Sequence, residues 1–451
     1  MNRLLAALIA LALGLAGCAE PPAPEGPGQP SADGGGLPAS GNPAATVGNL
    51  EGTPTPVAGL VIANARIIDG AGTTIESGSV VVRDGRIVSV EAGAANVADA
   101  LVIDASGRTV MPGFIDAHRH IIQGDAEAWL DERAAQSMRE FLEAGFTTVL
   151  SAGDNEAAIL ELRRRTAAGE LVGPRIIAAG RAPLSAAPGG GGGGVDPART
   201  DVSRPPLRPT EAAPAVPPEQ SRARVQQIAD AGFDAVKSVI ITTPNGPETD
   251  ALRLIAAESE RLGLRSITHA VTVIDTLAAV EAGTHYLVHT PHIGMLTQEE
   301  AQRIAGSGIP MVSTLGIFVP FYDENNQPIF RDALPFPWDT ISSAGQGPVN
   351  ARLLWEAGVV YGFGTDTRYQ PRETLKHEIK TLFLVFSEQD ILRIMTRNSA
   401  AAIDRADELG TLEPGKIADL VLLDGNPEQD IFDLLEVDLV IKEGAVVLDA
   451  R

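Results

Sequence analysis

The chain has 451 residues, enough for one large barrel with an appendage or for two or three average domains. It is 44% apolar and carries a formal net charge of −23, so it can bury a sizeable core, while nucleic acid and anionic membrane surfaces are excluded as charge-matched partners. The single cysteine, Cys18, rules out an intrachain disulfide and a cysteine-built metal site, which leaves seven histidines to carry any metal chemistry.

The N-terminus, MNRLLAALIALALGLAGC, places Arg3 ahead of an apolar run of signal-peptide length that is short for a membrane span. LAGC, Leu15 to Cys18, resembles the lipobox of bacterial lipoproteins, and the one cysteine falls where that motif needs it. The resemblance implies a signal peptide over residues 1–18, lipidation of Cys18 and a membrane anchor in the bacterial cell envelope. Ala19, where that family uses aspartate for inner-membrane retention, implies the outer membrane, facing the periplasm. Radiolabelled palmitate on Cys18 tests the expectation. Residues 19–57 are rich in Pro, Gly, Ala and Ser and predict a disordered tether with a mean reach of roughly 35 Å.

From Leu60 the texture becomes alternating. LVIANARIID, GSVVVRDGRIVSVE and LVIDASGRTVMPG predict short antiparallel strands separated by Gly and Asp turns, and GKIADLVLLDG and LVIKEGAVVLDA repeat the style at the C-terminus. Residues 58–112 and 406–451 therefore predict one small sheet domain assembled from both ends.

The middle, residues 113–405, repeats an amphipathic helix that ends in Ala-Gly or Leu-Gly and is followed by a short apolar strand. LEAGFTTVLSA, ADAGFDAVKSVI, RLGLRSITHA, VEAGTHYLVHT and WEAGVVYGFGTD carry this signal, and GFIDAHRH, RIIAAG and IPMVST bring the strand count to eight. Alternating helix and strand predicts a parallel sheet, and eight strands over this length suit an α/β TIM barrel. A doubly wound open sheet is the alternative, without a Gly-rich phosphate loop after its first strand to support it. Residues 183–220, with PGGGGGGVDP and many prolines, predict a long loop on the barrel face that carries active sites, either a lid or an unstructured insertion.

Ligand-capable side chains recur at predicted strand ends. His118 and His120 stand two apart in FIDAHRH, on one face of a strand, where two imidazoles can share a metal ion. His269 ends SITHA, His289 ends YLVHT and Asp366 ends GFGTD, while Lys237 sits inside the apolar run DAVKSVII. A single buried histidine is usually structural, and a single such lysine usually snorkels to a strand end. Six of these residues at C-terminal strand ends predict a shared pocket.

PGFIDAHRH, HA followed twenty residues on by a second His, GTD and GTLEPGKIADLVLLDGNP resemble the amidohydrolase superfamily over residues 58–451, most closely its prolidase-like, Xaa-Pro dipeptidase and imidazolonepropionase-related subgroup. The resemblance implies a distorted TIM (β/α)8 barrel with a small β-sandwich built from both termini. It also implies two divalent metal ions, zinc first among them. His118, His120 and Asp366 would hold the more buried ion and His269 and His289 the other. Lys237 would carry carbon dioxide as a bridging carbamate, formed on an amine whose pKa the apolar run lowers. Asp366 would serve as the catalytic acid and base while a hydroxide bridging the metals attacks an amide carbonyl.

The expected enzyme cleaves a C–N bond of a small-molecule or dipeptide substrate: a dipeptide, an N-acyl amino acid or a cyclic amide. A mononuclear deaminase or cyclic-amide hydrolase of the same fold is the first alternative, and an inactive envelope binding protein the second. Association into a homo-oligomer is left open. His292, Arg368 and Tyr369 are weaker candidates for substrate contact, each balanced against a solvated loop residue. His285 reads as structural and His377, in LKHEIK, as a surface helix residue.

Overall fold

The computed structural model describes residues 59–186, 211–318 and 343–451. The expected signal peptide, Cys18, the tether, residues 187–210 of the Gly/Pro-rich loop and the segment 319–342 lie outside the described residues.

Five strands open the described chain: β1 (Leu60–Ile68), β2 (Thr74–Arg83), β3 (Arg86–Ala92), β4 (Leu101–Asp104) and β5 (Thr109–Pro112). Three close it: β14 (Leu420–Leu423), β15 (Val437–Lys442) and β16 (Ala445–Asp449). All eight form one sheet of order β16-β15-β14-β5-β1-β2-β3, with β4 also on β1. The expectation of antiparallel strands is corrected in part, because the sheet is mixed: β14 runs antiparallel to β5, whereas β4 and β5 return through connections long enough to run parallel to β1. Leu60, Ile62, Ile67, Val80, Leu420 and Ile441 belong to its own apolar core.

Between these ends lie the eight strands of the barrel: β6 (Phe114–Arg119), β7 (Phe146–Ser151), β8 (Arg175–Arg181), β9 (Ala235–Val239), β10 (Arg265–His269), β11 (Tyr286–Val288), β12 (Met311–Val312) and β13 (Tyr361–Gly362). They pair in chain order, parallel throughout, which is the pattern expected when each crossover is a helix. The ring is drawn together across its first and last strands by bonds from Ala117 N to Phe363 O at 2.9 Å and from Asp366 N to His118 O at 2.8 Å. Gly364 is required at this seam, since a Cβ there would lie 2.4 Å from Val312 Cγ1 and 2.9 Å from His118 Cβ.

The crossover helices follow from their ends. Thr272 caps the helix Val273–Ala282 by accepting from Asp275 N, and Gly283 closes it in the left-handed conformation at φ 77°. Thr297 and Glu300 form a reciprocal capping box on Gln298–Gly306. Ile115, Ala117, Leu150, Ile177, Ala235, Ile267 and Val312 share one buried cluster drawn from the barrel strands. A larger cluster packs the barrel against its helices. Arg175 at the start of β8 pairs with Asp419 at 2.6 Å, tying the barrel to the terminal sheet. No helix among the described residues is long and apolar enough to cross a membrane.

Candidate metal centre

Strand alternation delivers two of the six residues directly. Ala235 and Ile267 belong to the buried barrel cluster, so Lys237 and His269, two positions further along β9 and β10, face the same way. The other four need departures from a regular strand. A register shift in the β6–β7 pairing between Asp116 and Arg119 re-aims the end of β6, where His118 and His120 stand with ring centroids 6.0 Å apart. His289 and Asp366 have left-handed backbones, at φ 79° and 47°. Non-glycine residues adopt that region rarely, and functional sites are where such strain collects.

The structure brings all six together. His118 Nε2 is 3.3 Å from Lys237 Nζ and 3.2 Å from Asp366 Oδ1. His120 Nε2 is 3.1 Å from the same carboxylate oxygen. His289 Nε2 is 2.7 Å from His269 Nδ1 and 3.6 Å from Asp366 Oδ2. His118, His120 and Asp366 each offer a ligand atom within 4.8 Å of the other two.

Burial decides the charge states. It lowers His118 and His269 to about 3, with Lys237 adding to the effect, and holds His289 well below the usual imidazole value. These three rings are therefore neutral near pH 7. Burial also lowers Lys237 to about 7, Asp366 opposing and Arg181 assisting. Burial alone would raise Asp366, but His118, His120 and His289 outweigh it and hold the carboxyl well below its usual range. For His120, burial is outweighed by Asp154 and Asp366, and its pKa rises.

A divalent cation fits this donor set. Two neutral imidazoles meet nitrogen to nitrogen at 2.7 Å, a lysine amine faces a third, and among the described residues the Asp366 carboxylate supplies the negative charge in direct contact with them. Imidazole nitrogen and carboxylate oxygen are the ligand types of zinc and related divalent ions.

A surrounding layer fixes these groups, and the sequence did not point to it. Asp116, fully buried and raised to about 6 by burial against the pull of Arg119, accepts from His118 N at 3.1 Å and from Thr365 Oγ1 at 2.7 Å. Arg119 donates at 2.8 Å to both Thr365 Oγ1 and Thr374 Oγ1, joining β6, the Asp366 segment and the helix Pro371–Leu382. Asp154 Oδ2 accepts from Ile121 N and Ser151 Oγ, both at 2.8 Å. Its Oδ1 lies 3.8 Å from His120 Nδ1, and both atoms are buried with no hydrogen bond of their own.

The weaker candidates divide. His292 is 5% exposed and stacks on Phe318 with ring centroids 3.4 Å apart, a packed residue and not a solvated one. Arg368 donates from Nε to Ile122 O at 3.2 Å, and Tyr369 gives its carbonyl to Arg119. Both line a cavity of about 530 Å³ beside His120, together with Trp129, Arg133 and Phe141. His285 is structural as expected, its Nδ1 accepting from Ser266 N at 2.8 Å. The expectation that His377 lies on the surface is corrected: it is 4% exposed, with Nε2 2.9 Å from Gly316 O. Its helix buries a polar stripe of Thr374, Glu378 and Thr381, which a hydropathy pattern does not register.

The chain matches the amidohydrolase family over residues 109–447. It is 23% identical to the imidazolonepropionase of Thermoanaerobacter pseudethanolicus over 84% of this chain and 92% of that protein. Among solved structures, a putative prolidase from Bifidobacterium longum superposes with a TM-score of 0.68 at 26% identity, covering 87% of this chain and 95% of the other. A Xaa-Pro dipeptidase with methionine bound in its active site gives 0.68 at 25% identity over 86% and 99% of the two chains. With the barrel, the terminal sheet and this match in hand, the chain belongs to the amidohydrolase family, is similar to imidazolonepropionase and prolidase members of it, and is a hydrolase of C–N bonds.

Proposed function

We propose that the protein is a binuclear metal-dependent hydrolase that cleaves the amide bond of a dipeptide, an N-acyl amino acid or a cyclic amide. The observation that carries this reading is the meeting of four imidazoles, a carboxylate and a lysine of lowered pKa in one buried cluster. His118, His120 and Asp366 would hold one cation, and His269 and His289 the other. Lys237 would serve as a further ligand if its neutral amine added carbon dioxide and released a proton, which turns a poor ligand into an anionic carbamate with two oxygens. Zinc is the first choice for a site of imidazole nitrogen and carboxylate oxygen. When bound, such ions supply a water of lowered pKa and a Lewis acid for the scissile carbonyl.

The chain's own groups do the rest. Asp366 Oδ1 is engaged by His118 and His120, which leaves Oδ2, on the His289 side, to take the proton of the attacking water and return it to the leaving nitrogen. The hydrogen bonds from Asp366 N and Thr365 N to His118 O keep that carboxyl at the barrel seam. Neutral His118, His269 and His289 keep their lone pairs available near pH 7. A one-metal deaminase or cyclic-amide hydrolase is the second reading, favoured by the compactness of the His118, His120 and Asp366 group.

Zinc-loaded protein incubated with Xaa-Pro and Xaa-Arg dipeptides, N-acyl amino acids and cyclic amides tests the proposal. Release of a free amine or carboxylate from one class supports it. Turnover of an aminopurine or another deaminase substrate alone, with one metal equivalent per chain, replaces it with the second reading.

A further inference from the structure

The loop that follows β12 is held in an unfavourable shape. Thr314 has φ 44°, in the left-handed region that a β-branched residue avoids. Such a conformation persists only where its neighbours over-determine it. Here the neighbours on both sides of Thr314 are tied to one carboxylate. Glu378, 2% exposed on the helix Pro371–Leu382, accepts at Oε1 from Ser313 Oγ at 2.7 Å and from Leu315 N at 2.9 Å. Its Oε2 accepts from Gly316 N at 2.6 Å. His377, on the same helix, places Nε2 2.9 Å from Gly316 O. Gly316 is needed for this approach, because a Cβ there would lie 2.7 Å from Glu378 Oε2. The strained residue in turn touches the metal centre, with Thr314 Oγ1 2.6 Å from His289 Nδ1.

We propose that Glu378 is a positioning residue for the metal centre: it holds Thr314 in its left-handed conformation so that the Thr314 hydroxyl accepts a hydrogen bond from His289 Nδ1–H and fixes that ring with Nε2 turned inward. The inference rests on the reading of His289 as a ligand. A histidine ligates through the nitrogen that carries no proton, so an acceptor at Nδ1 selects the tautomer with its lone pair on Nε2, beside Asp366 and His269. A carboxylate suits the task better than an amide. Once ionised, above about pH 7, it is acceptor-only and can satisfy three donors, whereas glutamine would turn an NH2 group toward one of them.

The test is zinc affinity, measured by chelator competition on the full-length chain stripped of metal and reloaded. Thr314→Val removes the hydroxyl and keeps the shape, Thr314→Ser keeps the hydroxyl, and Glu378→Gln removes the staple. Loss of a supporting partner of a metal-bound histidine typically weakens binding about 10–100-fold. Thr314→Val and Glu378→Gln are each expected to show that loss for the ion assigned to His269 and His289, and Thr314→Ser to stay within a few-fold of the parent. The double variant is expected to bind no worse than the poorer single variant, because both changes cut one path. A purely structural Glu378 would lower the melting temperature while leaving zinc affinity at 25 °C unchanged, and that result overturns the inference. Should Glu378→Gln fail to fold, Ser313→Ala deletes one donor and keeps the carboxylate; a smaller loss of affinity supports the inference, and parental affinity overturns it. A parent that takes up no divalent cation sinks the metal reading itself, whereas a parent that binds zinc alongside variants that match it sinks only the role of Glu378.

Discussion

Replacing Glu378 by glutamine should change how stability depends on pH, by an amount that follows from its surroundings. Burial raises this carboxyl from 4.5 to about 7, although Ser313, Gly316 and Leu315 donate hydrogen bonds to its ionised form. Asp116 adds a smaller contribution in the same direction. Between those two values the native chain holds a proton at Glu378 that the unfolded chain has released. Glu378 therefore supports the fold fully below pH ~4.5 and loses that support as pH rises toward ~7. At about 1.4 kcal/mol per pH unit, the interval corresponds to ~3 kcal/mol. Glu378→Gln has no such titration. Urea unfolding of parent and variant, read by circular dichroism at several pH values from ~4.5 to ~8, gives the difference in stability at each. The parent should lose ~3 kcal/mol relative to the variant across that range, whatever fixed offset the missing hydrogen bond adds. A difference that stays flat with pH would show that the carboxyl is not held protonated by burial, and the reasoning fails.

Gly364→Ala should destabilise the barrel by ~1–3 kcal/mol in thermal unfolding, since the new Cβ meets Val312 Cγ1 at 2.4 Å and His118 Cβ at 2.9 Å at the closing seam. Asp154→Asn keeps an oxygen for Ile121 N and Ser151 Oγ but can turn an NH2 toward His120 Nδ1, now 3.8 Å from the carboxylate. Zinc affinity by competition titration should fall about 10–100-fold, with little change in the melting temperature of the metal-free protein. Chelation of the loaded protein should lower its melting temperature, because a ligand at ~100 times its dissociation constant contributes ~2.7 kcal/mol to the folded state; an unchanged melting curve would count against a bound ion.

The parts of the fold and site that could be read from sequence share a physical reason. The helix, Gly, apolar-strand rhythm repeats because each crossover must end a helix and start a buried strand, and all eight barrel strands fall where that rhythm placed them. His118, His120, His269 and His289 stood out because imidazoles at the ends of apolar strands are rare, and Lys237 because a charge in such a strand is costly. Asp154, Thr314 and Glu378 gave no such signal. Each is an ordinary polar residue in a loop or helix, and its importance arises chiefly from partners 25 to 65 positions away, such as Thr314 with His289 and Glu378 with Ser313. His377 was misread for a related reason: the buried face of its helix carries Thr374, Glu378 and Thr381, satisfied by hydrogen bonds and not by apolar contact. The mixed pairing of the terminal sheet was also hidden, because alternation shows which face a strand buries and not which neighbour it joins.

The central claim is that Lys237 joins two cations in one centre. Elemental analysis of zinc-loaded parent and Lys237→Ala protein, run with carbon-13 NMR after equilibration in labelled bicarbonate, tests it most directly. Two metal equivalents per chain and a carbamate signal are expected in the parent, with most metal and the signal lost in Lys237→Ala and metal partly restored by short carboxylic acids. Two full equivalents retained by Lys237→Ala would contradict the account.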